Sequence, residues 1–227
     1  YAGETKASKF RSTIWEVIWR LNPTEHEFLP SHNPQLNIRE HWYPLANAEF
    51  RDQAAKDVVK AKLAMQLLSQ AIVELEKVKD LRASEDSDRW RANYDLIYAQ
   101  CIAYRVRLFQ FLLAMDDHAN NMPKPVKPKT NRWNVRRTPK MIVPDEGQFE
   151  RLKQAFNIRM EREEYLAYVR DEEERATAMY LEVKENHPNT PWAERANYEM
   201  RQGFGMQFVE AFRDPNYDKL DIKLPKP

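Results

Sequence analysis

The 227-residue chain has little of the glycine and cysteine on which tight turns and disulfide frameworks depend. Its four glycines are Gly3, Gly147, Gly203 and Gly205, and because sheet proteins need glycine in many of their turns, this scarcity argues against an all-β fold. Its one cysteine, Cys101, excludes an internal disulfide. No apolar run approaches the ~18 residues that cross a bilayer, and no signal peptide is recognisable. We therefore expect no membrane span in this chain.

The chain also lacks an excess of charge of either sign. Lysine and arginine number 36 against 35 aspartates and glutamates, which gives a net charge of +1. A charge this small provides no global attraction to nucleic acid or to an anionic membrane, so partners must be sought in local patches. The hydrophobic fraction of 42% and the aromatic fraction of 11% exclude wholesale disorder. Together these features predict an all-α fold with a buried core.

The hydrophobic pattern divides the chain into three parts. Residues 1–46 are predicted to form an N-terminal helix and an ordered loop. The helix, over residues 5–21, is expected to dock on the core through one face, which carries Phe10, Ile14, Trp15, Ile18 and Trp19. Residues 47–214 form the helical domain, and residues 215–227 form a loose tail. The helical domain comprises a hairpin over residues 47–119, a basic loop over 120–146 and C-terminal helices over 147–214.

The hairpin is predicted from apolar residues that recur at alternating steps of four and three, which places them on one face of each helix. The first seam comprises Ala54, Val58, Ala61, Met65, Leu68, Ile72 and Leu75. The second seam comprises Trp90, Tyr94, Ile97, Cys101, Tyr104, Leu108, Phe111 and Met115. We therefore expect two long antiparallel helices packed along these seams.

The C-terminal helices follow a weaker apolar pattern. A long helix over residues 146–186 is expected to break near Asn157, where the apolar register slips, and its stretch over 161–174 is rich in acids. A short amphipathic segment is predicted around Phe208 and Phe212. We expect these elements to complete the helical domain.

One short phrase occurs twice. Arg91–Leu96 reads RANYDL, Arg195–Met200 reads RANYEM, and each copy follows a tryptophan, Trp90 or Trp192. A helix that opens with tryptophan and small residues and packs closely on its predecessor is typical of helical-hairpin repeats of the tetratricopeptide kind. We therefore predict a tetratricopeptide-like helix-turn-helix at the C-terminal end.

The segment over residues 120–146 combines prolines with cations and has no acid between Asp117 and Asp145. Prolines break helices, so we predict an irregular basic loop with short extended stretches around residues 133–136 and 141–143. The candidate partner-binding residues are seven cations and one tryptophan: Lys124, Lys127, Lys129, Arg132, Trp133, Arg136, Arg137 and Lys140.

Three uses of this basic loop are open from the sequence. Its cations can pair with the acidic helix over 161–174 or stay solvated, or they can bind an acidic protein partner. Alternatively, residues 124–140 can bind a polyanion or nucleic acid, with Trp133 as a stacking platform for bases. With a net charge near zero, nucleic acid is the less favoured partner. We predict that Arg132, Arg136 and Arg137 lie near the acidic helix or near an external acidic partner. We also predict that Trp133 buries its ring against the hairpin.

Three stretches share their order and rough spacing with one protein family: Arg89–Leu96, Asn131–Val135 and Glu185–Ala193. They resemble the region that follows the von Willebrand factor A (VWA) domain in a group of uncharacterised planctomycete bacterial proteins. The chain departs from that pattern at Asn189, where the family commonly has glycine. The resemblance implies a bacterial helical accessory module, with a metal-binding VWA domain upstream of Tyr1. Because the chain begins with tyrosine rather than methionine, we expect it to be a piece of a longer protein.

No arrangement of residues predicts a catalytic or metal site. The local histidine and carboxylate groups, residues 25–27, His32 and residues 40–41, do not match metal-ligand spacing. No nucleophile elbow or phosphate loop occurs, and Cys101 lies on an apolar seam, where a small buried hydrophobe is expected. We therefore expect no enzyme activity and no cofactor, but a module for protein–protein interaction or scaffolding. An export signal upstream of Tyr1 would place it in the cell envelope or periplasm, and the compartment is otherwise open.

Overall fold

The computed structural model describes residues 8–22 and 42–216. It is predominantly helical and carries one small sheet, so the predicted fold class is confirmed. The elements in chain order are α1 (Lys9–Leu21), β1 (Trp42–Tyr43), α2 (Asn47–Lys77), a 3-10 helix (Lys79–Ser84), α3 (Asp88–Asn121), β2 (Arg132–Thr138), α4 (Glu146–Phe156), α5 (Arg162–Asn186), α6 (Pro191–Gln202) and β3 (Gly205–Ala211).

The hairpin of α2 and α3 forms the centre of the fold, as predicted. Every residue of the two seams is buried or packs against the core. The Tyr94 hydroxyl of α3 donates a hydrogen bond of 3.0 Å to the Leu75 carbonyl of α2, which ties the two helices together. Between Val106 and Met115 all side chains of α3 are buried except that of Leu108, which is partly buried. This helix is covered on several sides because α2, α5 and β3 all pack against it.

Helix α1 packs on the hairpin through a face that matches the predicted one in part, since Phe10 and Ile14 are buried and Ile18 packs against the core. Phe10, Ile14 and Val17 are at most 2% exposed and follow the helical spacing of four and three. The prediction that Trp15 and Trp19 dock on the core is wrong, because their side chains are 48% and 36% exposed. A helix turns by about 100° per residue, so these rings stand beside the buried face rather than on it.

The break predicted near Asn157 is confirmed. Helix α4 ends at Phe156, Asn157 adopts a left-handed backbone with φ of 52°, and α5 begins at Arg162. Asparagine tolerates this conformation at a helix end better than most residues do.

Helix α5 packs along α3, and α6 packs back against α5. The small residue shared by the two RANY copies is buried in both, with Ala92 at 2% and Ala196 at 0% exposure.

The three strands form an antiparallel sheet in the order β1-β2-β3. Strand β2 is central, and its Trp133 is paired with Tyr43 of β1 and with Glu210 of β3. The inner face of the sheet lies on the hairpin. There the His118 ring of α3 lies 4.3 Å from the Phe208 ring and 4.6 Å from the Trp133 ring. Burial lowers the pKa of His118 to about 4, so this cluster contains a neutral imidazole near pH 7.

Two predictions for the sheet residues need correction. The segment over 120–146 is not an irregular loop throughout, because residues 132–138 form the central strand. The extended stretch expected around 133–136 is confirmed, whereas residues 141–143 lie outside the strands. The segment around Phe208, which we assigned to the C-terminal helices, is a strand. Short alternating patterns are weak signals, and their pairing partners lie far away in the sequence.

Glycine is required where β3 passes the chain that leaves β2. A Cβ atom on Gly205 would lie 1.9 Å from the carbonyl oxygen of Lys140, closer than any real contact. Gly203 has φ of +72°, and a Cβ atom there would lie 2.5 Å from the Cα atom of Pro139. The close approach therefore depends on two of the few glycines of this chain.

Candidate binding surface

Four of the eight candidate residues, Arg132, Trp133, Arg136 and Arg137, lie on β2. They are divided between its two faces, because successive side chains of a strand point to opposite sides. Trp133 and Val135 point to the inner face and are 6% and 5% exposed. The Trp133 ring meets the His118 ring edge-on at a centroid distance of 4.6 Å. The prediction that Trp133 buries its ring against the hairpin is therefore confirmed. The same burial makes this ring unavailable for stacking with a base.

The outer face of β2 carries Arg132 and Arg136. The Arg132 guanidinium carbon lies 4.4 Å from the centroid of the Trp42 ring, and that of Arg213 lies 4.7 Å from it. These distances are within the range of cation–π attraction, so Trp42 holds two cations side by side. The Trp42 side chain is 38% exposed, and Arg136 is exposed four residues further along β2 than Arg132. Residues four apart on a strand point to the same face and are roughly 13 Å apart, so these cations form a widely spaced row.

A turn before β2 holds three further candidate lysines. The Glu210 carboxylate accepts hydrogen bonds of 2.9 and 2.6 Å from the backbone N–H groups of Val126 and Lys127. It also accepts one of 2.9 Å from the Thr130 hydroxyl. The Val126 hydrogen bond is the largest of the effects that lower the pKa of Glu210, and it keeps this carboxyl ionised. The turn is thus fixed by its backbone. The side chains of Lys124, Lys127 and Lys129 are exposed.

Lys140 is exposed beyond the other end of β2 and therefore lies apart from the lysines of the turn. We call the row and the turn together the basic surface, defined by Lys124, Lys127, Lys129, Arg132, Arg136 and Arg213. It contains five of the eight predicted residues and adds Arg213. The row lies on the outer face of the sheet, whereas the turn is bound by Glu210, whose strand partner Trp133 points to the inner face. Trp133, Arg137 and Lys140 are outside it.

Arg137 points to the inner face and joins a buried cluster of charges. Its guanidinium lies 3.0 Å from the Glu199 carboxylate of α6, which Arg107 also contacts at 2.6 Å and Arg195 at 2.6 Å. Glu199 is 0% exposed. Burial alone would raise the pKa of Glu199, but Arg107 and Arg137 outweigh that effect and hold the pKa below its ordinary value. The arginine is therefore a structural residue, fixed by an ion pair within the fold.

The described contacts do not pair the loop arginines with the acidic helix, which was one half of our first interpretation. The other half, solvation, fits the exposed Arg136. The acids of that helix pair with cations of the helices instead: Glu172 with Arg105, Glu163 with Arg162, and Glu161 with Lys153 at 2.9 Å. The acidic residue that Arg137 meets is Glu199, further along the chain. Proximity in the sequence was a poor guide, because β2 pairs with β3 and its Arg137 reaches Glu199 of α6.

The remaining candidate groups do not converge on a reactive centre within the part of the chain that the structure describes. In residues 8–22 and 42–216 no three His, Cys, Asp or Glu side chains are grouped as a metal site would require. His26, His32 and His41, which the sequence analysis considered as metal ligands, lie outside the described residues. Cys101 is buried, and burial raises the pKa of its thiol to about 12, so it is not a thiolate near pH 7.

Two further observations bear on the class of protein. None of the helices in the described ranges combines the length and the apolarity that a bilayer crossing demands. Comparison of the chain with protein families, with curated proteins and with solved structures finds no match in any of the three.

Arg213 of the basic surface, and Trp42, which contacts it, had little signal in the sequence. Trp42 and Arg213 are far from the basic segment along the chain and meet it only because β1 and β3 flank β2. Trp133 and Val135 alternate with polar residues, and this alternation was the one local signal for the strand. A strand in turn indicates which cations share a face. No local feature of the sequence identified β1 and β3 as the partner strands of β2.

Proposed function

We propose that this chain is a non-catalytic helical accessory module of a larger VWA-domain protein, and that it binds an acidic protein surface through the basic surface. The observation that carries the proposal is the set of exposed cations that the fold holds on a fixed backbone: Arg136 on the outer face of β2, and Lys124, Lys127 and Lys129 on the turn bound by Glu210. A fixed set of cations lowers the entropy lost when a partner binds. Complementary charge then raises the association rate and selects acidic partners.

An acidic protein is favoured over single-stranded nucleic acid by the state of the two tryptophans. Sequence-tolerant binding of single strands relies on exposed aromatic rings on which bases stack. Trp133 is buried, and the Trp42 ring already carries the guanidinium groups of Arg132 and Arg213. Carboxylates need no stacking platform, because arginine binds them through charge-assisted hydrogen bonds. Nucleic acid remains the alternative that the experiment must separate.

The test compares two triple variants of equal charge. Lys127, Lys129 and Arg136 are changed to Glu in the first variant, since all three side chains are exposed. The control variant carries the same change at three cations on helices or helix connections: Lys56, Arg159 and Arg170, which are also exposed. Both variants are titrated with poly-L-glutamate and with an oligothymidylate of similar charge, at several salt concentrations.

We expect the first variant to bind poly-L-glutamate about tenfold or more weakly at low salt, with a smaller salt dependence than the unchanged chain. The control variant should lose much less, because its cations lie outside the basic surface. Equal losses in both variants would show that only net charge matters and would refute the surface. Tighter binding of oligothymidylate that depends on Trp42 would favour nucleic acid. The open reading frame upstream of Tyr1 tests the accessory role, since it must encode the VWA domain with its Asp-x-Ser-x-Ser motif.

A further inference from the structure

A groove of about 820 Å³ opens between α2 and the turn that joins α4 to α5. Its apolar and aromatic lining comes from α2, α3, α4, the α4–α5 connection and α5, in that order: Met65, Phe109, Phe156, Ile158 and Tyr165. The left-handed Asn157 ends α4 and turns the chain, which brings Ile158 to the groove after Phe156. Small-molecule sites typically enclose ~300–1,000 Å³ and are lined mainly by apolar and aromatic residues. The groove has this size and this lining.

One charged residue, Lys62, is found among the described residues that line the groove. Its ammonium donates a hydrogen bond of 2.6 Å to the Ala155 carbonyl and lies 4.6 Å from the centroid of the Phe156 ring. An ammonium group has three N–H donors, so this bond leaves two for a ligand. The cation is thus fixed at the edge of an aromatic wall.

A second polar group is provided by Tyr165. Its ring packs against Phe109 at a centroid distance of 4.8 Å, and its hydroxyl has no hydrogen-bond partner among the described residues. Burial raises the pKa of this hydroxyl, which therefore stays protonated and able to donate. No acid faces the groove from the described residues that line it. The cation of Lys62 thus favours a ligand that carries negative charge.

We propose that this groove binds an anionic amphiphile, a molecule with an aromatic or aliphatic body and one acidic group. The body lies on Phe109, Phe156 and Tyr165, and the acidic group accepts hydrogen bonds from Lys62. An acidic group gains more from the ammonium than a neutral one does, because hydrogen bonds to charged groups are the stronger class. The groove shares no residue with the basic surface, so this proposal stands or fails independently of the proposed function.

A pair of fluorescent probes tests the proposal with the whole chain. 8-Anilino-1-naphthalenesulfonate has the ring system of N-phenyl-1-naphthylamine and adds one acidic group. We expect one saturable site that prefers the sulfonate probe. Lys62→Met keeps an apolar stem and removes the cation, so it should weaken sulfonate binding by about tenfold and leave the neutral probe nearly unchanged.

A filling variant locates the site. Gln66 is exposed at the groove, and Val59 is exposed on the same helix but outside it, so the two positions carry a similar risk to folding. Gln66→Trp should reduce the binding of both probes at least tenfold, whereas Val59→Trp should change neither. Circular dichroism of both variants verifies the fold. Unchanged binding in Gln66→Trp, or equal affinity of the two probes in the unchanged chain, would overturn the proposal.

Discussion

The change Glu199→Gln tests the buried charge cluster that joins α6 to α3 and β2. Glu199 is 0% exposed and its carboxylate contacts three guanidinium groups, those of Arg107 at 2.6 Å, Arg195 at 2.6 Å and Arg137 at 3.0 Å. Glutamine has nearly the same shape and keeps one carbonyl oxygen as an acceptor. The substitution therefore removes the negative charge with little change in packing.

The expected loss of stability follows from the cations left behind. The Arg107 side chain is only 9% exposed, so its charge has little access to water once the carboxylate is gone. Removal of one partner from a buried ion pair typically costs ~3–5 kcal/mol. Arg137 adds a second cation that is partly buried, and repulsion between Arg107 and Arg137 contributes to the lowered pKa of Arg137, after desolvation. We therefore expect Glu199→Gln to lower the free energy of unfolding by about 3–5 kcal/mol.

Urea unfolding at pH 7 measures this loss, with Glu194→Gln as the control. Glu194 is on the same helix but exposed, and exposed substitutions usually change stability by less than ~0.5 kcal/mol. The pH dependence provides a second readout. Because the pKa of Glu199 is lowered on folding, its contribution is complete above the ordinary value of 4.5 and is lost as the pH falls through the folded pKa. A loss below 1 kcal/mol at pH 7, or a difference that does not shrink in acid, would refute the reasoning.

Two further predictions concern the sheet. Gly205→Ala should prevent β3 from docking, since the new Cβ atom would lie 1.9 Å from a backbone oxygen. Gly147→Ala should be neutral or stabilising, because its Cβ atom would have no neighbour closer than 3.5 Å. Thermal melting compares the two variants, and similar melting temperatures would contradict the close approach of β3 to Lys140. The pKa of His118 falls from 6.5 to about 4 on folding, so stability should decrease as the pH falls from 6.5 towards 4. His118→Phe should reduce that decrease in urea titrations at pH 7.5 and 5.0, and an unaltered pH dependence would assign it to other groups.

The helices could be predicted because their signal is local. The seams that contain Leu68 and Phe111 repeat over many residues, and such a pattern fixes both the helix and the face it buries. The break at Asn157 was visible for the same reason, as a slip of that pattern. The pattern of the shorter helix α1 does not define its buried face as sharply. The predicted face included Trp15 and Trp19, but the buried contact is made by Phe10, Ile14 and Val17.

The sheet and the basic surface could be predicted only in part, because strand pairing is non-local. The alternation at Trp133 and Val135 indicated an extended stretch, but nothing in it specified β1 or β3 as partners. Without that pairing, Arg137 could not be distinguished from Arg136. One of these neighbours is a buried structural residue and the other an exposed cation, because a strand directs them to opposite faces.

The repeated RANY phrase shows how similar residues acquire different environments. Its acidic position enters a charge pair in both copies: Asp95 contacts Arg82 at 2.5 Å, and Glu199 contacts Arg107. Its tyrosines differ, since Tyr94 is 2% exposed and Tyr198 is 43% exposed.

The difference between the two tyrosines follows from what covers each helix. Phe10 of α1 packs on the Tyr94 ring at a centroid distance of 5.0 Å, whereas the described ring contacts of Tyr198 are the guanidinium groups of Arg137 and Arg195. Helix α1 therefore acts on the first copy as a further layer, and within residues 8–22 and 42–216 no helix covers the second copy in this way. The repeated sequence thus indicates a similar contact between neighbouring helices in both copies. The exposure of each tyrosine depends on whether a further helix, such as α1, covers it.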